Sequence, residues 1–283
     1  MRGQALEYLA VRADGVYVDA TMGLGGHTVA IAELLSSGFV LANDRDAESQ
    51  QLALPAIQPV ADRVRLHHGR FSELPQALAA NGIERVDGLL ADLGVSRNQL
   101  TEPERGFSFM SDAPLDMRMD RSQGESAAEL INYSPEKDLA DLIFQNGEER
   151  RSRRIARAIV RARPLRTTGQ LARVIETAVP RTGRLHPATQ TFMAIRIAVN
   201  GELEELDALL ALAPQLMKPG GRIVIITFMS LEDRRVKHSF QSLARADQAL
   251  LLTRHVVRPS AEEVAANPAS RSAKLRAIEV IHS

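Results

Sequence analysis

The 283-residue chain contains no cysteine and no tryptophan. The first absence removes disulfides, thiolate nucleophiles and zinc-thiolate sites, and it fits a reducing compartment. Aromatic residues make up only 4% of the chain, so platforms on which a nucleic-acid base could stack are few. Neither charge is in excess: Lys plus Arg and Asp plus Glu stand at 35 each. Any affinity for nucleic acid must therefore come from segregation of cations onto one face, not from overall basicity. No apolar run approaches the ~20 residues of a membrane helix, and residues 1–9 lack the basic-then-apolar pattern of a signal peptide. These absences predict a soluble, cytoplasmic protein with no membrane partner and no metal.

What is present is enough apolar residue, 45% of the chain, to bury a large domain carrying a second, smaller one. Short β-type runs alternate with helical patterns through the first third: Val16-Tyr17-Val18, a helix over about 27–35, Phe39-Val40-Leu41-Ala42, and a helix from about Ala47. The rhythm continues with Val64-Arg65-Leu66, a helix over about 73–80, and Val86 through Ala91. It predicts a parallel, doubly wound α/β sheet. From about Glu102 a loop rich in Gly, Met, Asp and Pro runs to Asp120, and only helical patterns follow until about residue 200. A helix over 202–217, the turn Lys218-Pro219-Gly220-Gly221 and the apolar run Ile223 to Phe228 then restore the α/β rhythm. The expected architecture is one α/β domain over 1–104 and 199–283, interrupted after its fourth strand by an all-helical insert over 105–198.

Between the first strand and its helix lies Asp19-Ala20-Thr21-Met22-Gly23-Leu24-Gly25-Gly26-His27-Thr28. Glycines at that junction let backbone approach a ligand. A dinucleotide fingerprint would place a third glycine at position 28, where Thr28 stands, and the Walker spacing is absent. The second strand ends in Asn43-Asp44, roughly 20 residues past the glycines, the spacing at which a carboxylate accepts from two ribose hydroxyls. The pair predicts a nucleoside site with Asp44 on the ribose. The fourth strand ends in Asp92, at the sheet edge where ligands of open α/β folds sit. Such a carboxylate suits the methylation of an exocyclic amine, whose delocalised lone pair is released when an acceptor takes its N–H. An aspartate capping the next turn fits the same position.

Here the residues resemble a known family, the bacterial 16S ribosomal RNA cytosine-N4 methyltransferases called RsmH or MraW. The resemblance rests on Tyr17-Val18-Asp19 with Gly25-Gly26-His27, Asp92-Leu93-Gly94-Val95-Ser96 with Gln99-Leu100, Arg105-Gly106-Phe107-Ser108-Phe109, and Pro114-Leu115-Asp116-Met117-Arg118-Met119-Asp120. It continues through Gly147-Glu148-Glu149, His186-Pro187-Ala188-Thr189, Val199-Asn200, Ser230-Leu231-Glu232-Asp233-Arg234 and Arg271 to Arg276. It implies a class I (Rossmann-like) methyltransferase domain with a helical insert. It also implies S-adenosylmethionine as cofactor, held by Gly25, Gly26, His27, Asp44, Phe71, Asp92 and Gln99, with Phe71 flanking the adenine and Asp92 catalytic. The substrate it implies is a decoding-region cytosine of 16S rRNA in the small ribosomal subunit. Departures from the family pattern are Met193 for a glutamine, Met229 for a histidine, Arg97 for a serine and Ala269 for an arginine, and the family's first strand-like segment has no counterpart ahead of Met1.

Arg150, Arg154, Arg157 and Arg161 recur at helical spacing among eight arginines between 150 and 166, and they predict one positive face that anchors phosphate. Arg118 is placed with them on the RNA side. Arg181, Arg184 and Arg196 are candidates to extend that face. A solvated helix surface is the bland alternative for such a charge run. Two further readings of the whole chain fit the same residues: an amine methyltransferase acting on DNA or protein, and an RNA-binding assembly factor whose methyl-transfer site has decayed.

Overall fold

A computed structural model describes residues 1–181 and 186–281. Its sheet has seven strands, β1 (Val16–Asp19), β2 (Phe39–Asp44), β3 (Val64–His68), β4 (Val86–Asp92), β5 (Met217–Thr227), β6 (Ala249–Leu251) and β7 (Lys274–Val280). Their spatial order is β3-β2-β1-β4-β5-β7-β6. β1 to β5 are parallel, as the alternating pattern requires. Chain order reverses between β1 and β4, so the carboxyl ends of these two strands flank the crevice in which open α/β sheets take ligands.

The central strands read as continuous apolar runs because both faces are covered. Val18, Leu41, Leu89, Ile223 and Ile225 enter one cluster, with Leu78, Leu206 and Phe240 from the helices Leu74–Ala80, Glu202–Leu216 and Ser230–Arg245. Their neighbours Tyr17, Val40, Leu90, Val224 and Ile226 enter the other, with Leu9 and Ile31 from the helices Arg2–Leu9 and Gly26–Ala32. Alternate side chains of one strand point to opposite faces, which makes two layers from one sequence run.

Two features differ from the sequence expectation. The sheet is not wholly parallel: β7 runs antiparallel to β5, and β6 antiparallel to β7. The expected turn over 218–221 lies inside β5 as an irregularity, since Val86 pairs with Met217 while Gly88 pairs with Arg222. Asp87 opposes the extra residues. It accepts from Lys218 Nζ at 2.9 Å, from Val16 N–H at 2.8 Å and from Arg12, which fastens the edge of the sheet opposite the crevice.

The chain divides into two compact units, Met1–Gly94 with Leu203–Ser283, and Val95–Glu202. The second contains the helices Ala127–Tyr133, Glu136–Gly147, Ser152–Ala162, Thr168–Ala178 and Thr189–Asn200. Its core is built from Ile131, Ile143, Ile155, Ile159, Ile175 and Ile195 among others. Arg105, 1% exposed, holds the loop leading into these helices by donating to the carbonyls of Arg118 and Met119 at 3.2 and 3.0 Å. Asn200 grips the same loop, donating to Met117 O at 2.7 Å and accepting from Met119 N–H at 2.8 Å. Gly106 has φ +73°, and a Cβ there would lie 2.4 Å from Pro114 O, so only glycine fits. Among the described residues no helix is long and apolar enough to cross a membrane.

Candidate active site

The glycine loop leaves β1 and enters the helix Gly26–Ala32 through Gly25, at φ +84°. Built Cβ atoms on Gly23 and Gly26 would meet nothing within 4 Å, so open space lies beside the loop. Asp19 ends β1 fully buried and accepts from Thr28 Oγ1 at 2.6 Å and Thr21 N–H at 3.2 Å. Burial pushes its carboxyl up to about 6. Thr28, the residue that breaks the dinucleotide fingerprint, thus has a positive reason: its hydroxyl ties the helix to the end of β1, and a glycine would leave Asp19 short of a partner.

Asp44 ends β2. One of its oxygens accepts Gly23 N–H at 2.7 Å and the other Asp46 N–H at 2.8 Å. The carboxylate thus braces the glycine loop, and each oxygen keeps a lone pair for a further donor. Burial raises its pKa. A polar seam runs behind it: Asn43 donates to Ala20 O at 3.1 Å and meets His67 Nδ1 at 2.8 Å, while Gln50 Nε2 donates to the carbonyls of Asp44 and His67 at 3.0 and 2.6 Å. The carboxyl ends of β1, β2 and β3 are therefore held in one register. Phe71 begins the short turn Phe71–Glu73 past β3, half-buried against the first core cluster, and the adjacent Ser72 is held by Glu205 at 3.1 Å.

Asp92 ends β4 across the switch point from Asp19. Its N–H donates to Thr21 Oγ1 at 2.6 Å. His27 Nδ1 lies 3.7 Å from Asp92 Oδ2, too long for a hydrogen bond. Burial pushes the imidazole down to about 4, so at neutral pH it is uncharged. Burial pushes Asp92 up to about 7, with the carboxylates of Asp19, Glu232 and Glu263 adding to the rise. Asp92 Oδ1 and His27 Nε2 are each closed to solvent without a hydrogen-bond partner. Orphaned atoms of this kind cost about 1–3 kcal/mol each unless a ligand completes them.

Asp19, Thr21, Thr28 and Glu232 are site residues that the sequence reading did not single out. An acid closing the apolar run Val16-Tyr17-Val18 was the visible signal for Asp19. Glu232, 3% exposed, accepts from the N–H groups of Phe228 and Met229 at 3.1 and 3.2 Å and so caps the helix Ser230–Arg245.

The remaining candidates belong to the helical unit. Gln99 is buried, and its Oε1 accepts Ser96 N–H at 2.9 Å in a reciprocal cap of the helix Arg97–Thr101. Arg118 is not a free cation: its guanidinium takes both oxygens of Asp116, at 2.8 and 2.9 Å, and Gly124 O at 3.3 Å. Arg196 is likewise committed, to both oxygens of Glu202 at 2.8 Å, and Arg184 lies outside the described residues. On the helix Ser152–Ala162 the buried stripe is Ile155, Ala156 and Ile159, which leaves Arg154, Arg157 and Arg161 exposed on the other side. Arg150 precedes that helix and is also exposed. Arg151 and Arg163, by contrast, are spent on backbone carbonyls at Pro180, Ile131 and Ser134.

Residues 1–281 match the model of the MraW methylase family. A protein of Solibacter usitatus called ribosomal RNA small subunit methyltransferase H is 60% identical over 280 residues, covering 99% of this chain and 98% of its own. Proteins of the same name from Acidobacterium capsulatum and a Cyanothece species are 50% and 49% identical, covering 97% and 96% of this chain and 95% and 90% of their own. Identity at this level over the full length, together with the match to the family model over residues 1–281, places the chain in the MraW methylase family.

Proposed function

We propose that this chain methylates N4 of a cytosine in the decoding region of 16S ribosomal RNA, with S-adenosylmethionine as donor. The observation that carries the reading is Asp92, a carboxyl at the switch point with one oxygen orphaned and its pKa raised to about 7. Relatives 60%, 50% and 49% identical, named as small-subunit ribosomal RNA methyltransferases, support the substrate.

The residues fit a nucleoside-bearing donor. Open space beside Gly23 and Gly26 admits its backbone-facing part, Asp44 keeps lone pairs for the ribose, and the half-buried Phe71 ring offers a face to the adenine. When bound, S-adenosylmethionine supplies an electrophilic methyl group. Asp92 acts at the proton: its carboxylate accepts the amine N–H, restores the nitrogen lone pair and takes up the proton that methylation releases. A carboxyl near 7 is basic enough for that task, is about half ionised at neutral pH and becomes mostly ionised at mildly alkaline pH. Neutral His27 adds no positive charge beside Asp92, so the carboxylate keeps its raised basicity. Gln99 is assigned to the donor side as well. Arg150, Arg154, Arg157 and Arg161 anchor RNA phosphates, with Arg118 acting through the loop that it and Asp116 shape.

The test is methylation in vitro of small subunits lacking the modification, with the product nucleoside identified by mass. N4-methylcytidine is expected. Methyl on another base, or on ribosomal protein only, would overturn the reading, and so would a failure to bind donor by calorimetry.

A further inference from the structure

The helix Ala127–Tyr133 ends on an aromatic ring that is 80% exposed. The chain has only three tyrosines and eight phenylalanines, and an aromatic ring left in water forgoes the burial that is its main contribution to stability. The ring is not on a frayed end. Arg163 donates to Ile131 O and Ser134 O, both at 2.6 Å, and Asn132 and Leu165 exchange two hydrogen bonds at 2.7 and 2.9 Å. Residues on both sides of Tyr133 are thus tied to the segment that follows the arginine helix.

Two cations adjoin this bracket. Arg161 and Arg166 flank the tied segment, and both are exposed, with no ion pair from either side chain among the described residues. The acids at helical spacing from the ring are both engaged: Glu129 accepts from Ser126 N–H and Oγ at 2.8 and 2.7 Å, and Glu136 pairs with Arg157 at 3.4 Å.

We propose that Tyr133 is a stacking platform for an unpaired RNA base, with Arg161 and Arg166 holding the adjoining phosphates. The inference rests on the ribosomal RNA reading above and deepens it by naming how the insert selects single-stranded RNA. A planar ring of any base can stack on such a platform, whereas bases inside a duplex are already stacked and out of reach.

The test uses the full chain and two probes, a roughly 12-nucleotide single-stranded RNA and the matching duplex, near the site size of such surfaces. Tyr133→Ala should weaken single-strand binding about five- to 100-fold, and Tyr133→Phe should stay within about twofold of the parent. Duplex affinity and melting temperature should not move, because the ring is exposed. Unchanged single-strand affinity in Tyr133→Ala, while Arg154→Ala with Arg157→Ala weakens binding, would overturn the platform and leave the RNA reading intact. Equal losses on both probes would also overturn it. A parent chain that binds neither probe would overturn the platform, while methylation of small subunits decides the RNA reading by itself.

Discussion

The backbone N–H of Asp92 donates to the hydroxyl oxygen of Thr21 at 2.6 Å, bridging the ends of β4 and β1 across the switch point of the sheet. Thr21 N–H in turn donates to the buried Asp19. The position of the carboxyl proposed as catalytic is therefore set by a chain of three residues and not by β4 alone.

Removing that acceptor should be costly in a specific way. Thr21→Val leaves the Asp92 N–H unpaired, at about 1–3 kcal/mol of stability, and lets the carboxyl drift. Turnover should fall while donor affinity is largely kept, and Thr21→Ser should recover both. Thermal melts with single-turnover methylation check this; a valine variant with normal turnover would show that Thr21 does not position Asp92.

Asp44 has two duties, since it braces Gly23 and Asp46 and is assigned the donor's ribose. Asp44→Ala should weaken donor binding strongly, by about 1.5–3 kcal/mol for each charge-assisted hydrogen bond lost. It should also lower the melting temperature of the donor-free chain, because the loop loses its brace. Calorimetric affinity for S-adenosylhomocysteine and a donor-free melt separate the two duties; a variant with parental affinity would sink the ribose assignment.

The carboxyl of Asp92 must be ionised to accept a proton, so the single-turnover rate should rise with pH through about 7 and then level off. Asp92→Asn should bind RNA, methylate poorly and lose that rise. Stability should run the other way. Asp19 and Asp92 stand at about 6 and about 7 when folded, against about 4 when unfolded. In that window the folded chain holds protons that the unfolded chain has released, so their contribution is present at low pH and lost as pH rises through the folded values. His27, lowered to about 4, opposes this between about 4 and 6.5, where stability from it rises with pH. Urea melts of the parent and of Asp19→Asn across pH 4–8 should differ in slope below about 6. Parallel curves would argue against a protonated Asp19.

Arg154→Ala with Arg157→Ala should weaken RNA binding and flatten its dependence on salt, since each phosphate contact contributes a share of that slope. Donor affinity should not change. An unaltered slope would return this helix face to an ordinary solvated surface.

Much of the frame was legible because short apolar runs ending in Asp19, Asp44 and Asp92 recur at the spacing of a doubly wound sheet, and the carboxyl edge collects those ends. The antiparallel edge was not, for the run Ala277-Ile278-Glu279-Val280 carries no mark of direction, which only its partner β5 decides. Nor were long-range partners readable: Thr21 meets Asp92 across 71 positions and Ser72 meets Glu205 across 133. The Arg118 pairing is of another kind, because its partner Asp116 stands only two residues away and is legible in the sequence itself. Met193 and Met229 fall in different units, so whether their departures from the family pattern are coupled is a question for a double-mutant cycle.

Among the described residues, each apolar cluster draws its members from one unit: Phe107 to Ile195, with Val95 and Val199 beside them, form one, and the sheet and its helices form the rest. A cavity such as that left by Ile155→Ala, costing about 2–5 kcal/mol, is thus a debt of the insert's own fold. The two halves can then drift at separate rates under selection. On the proposed reading, substitutions that repack the insert change which RNA is recognised while the sheet proposed to hold the methyl donor keeps its shape.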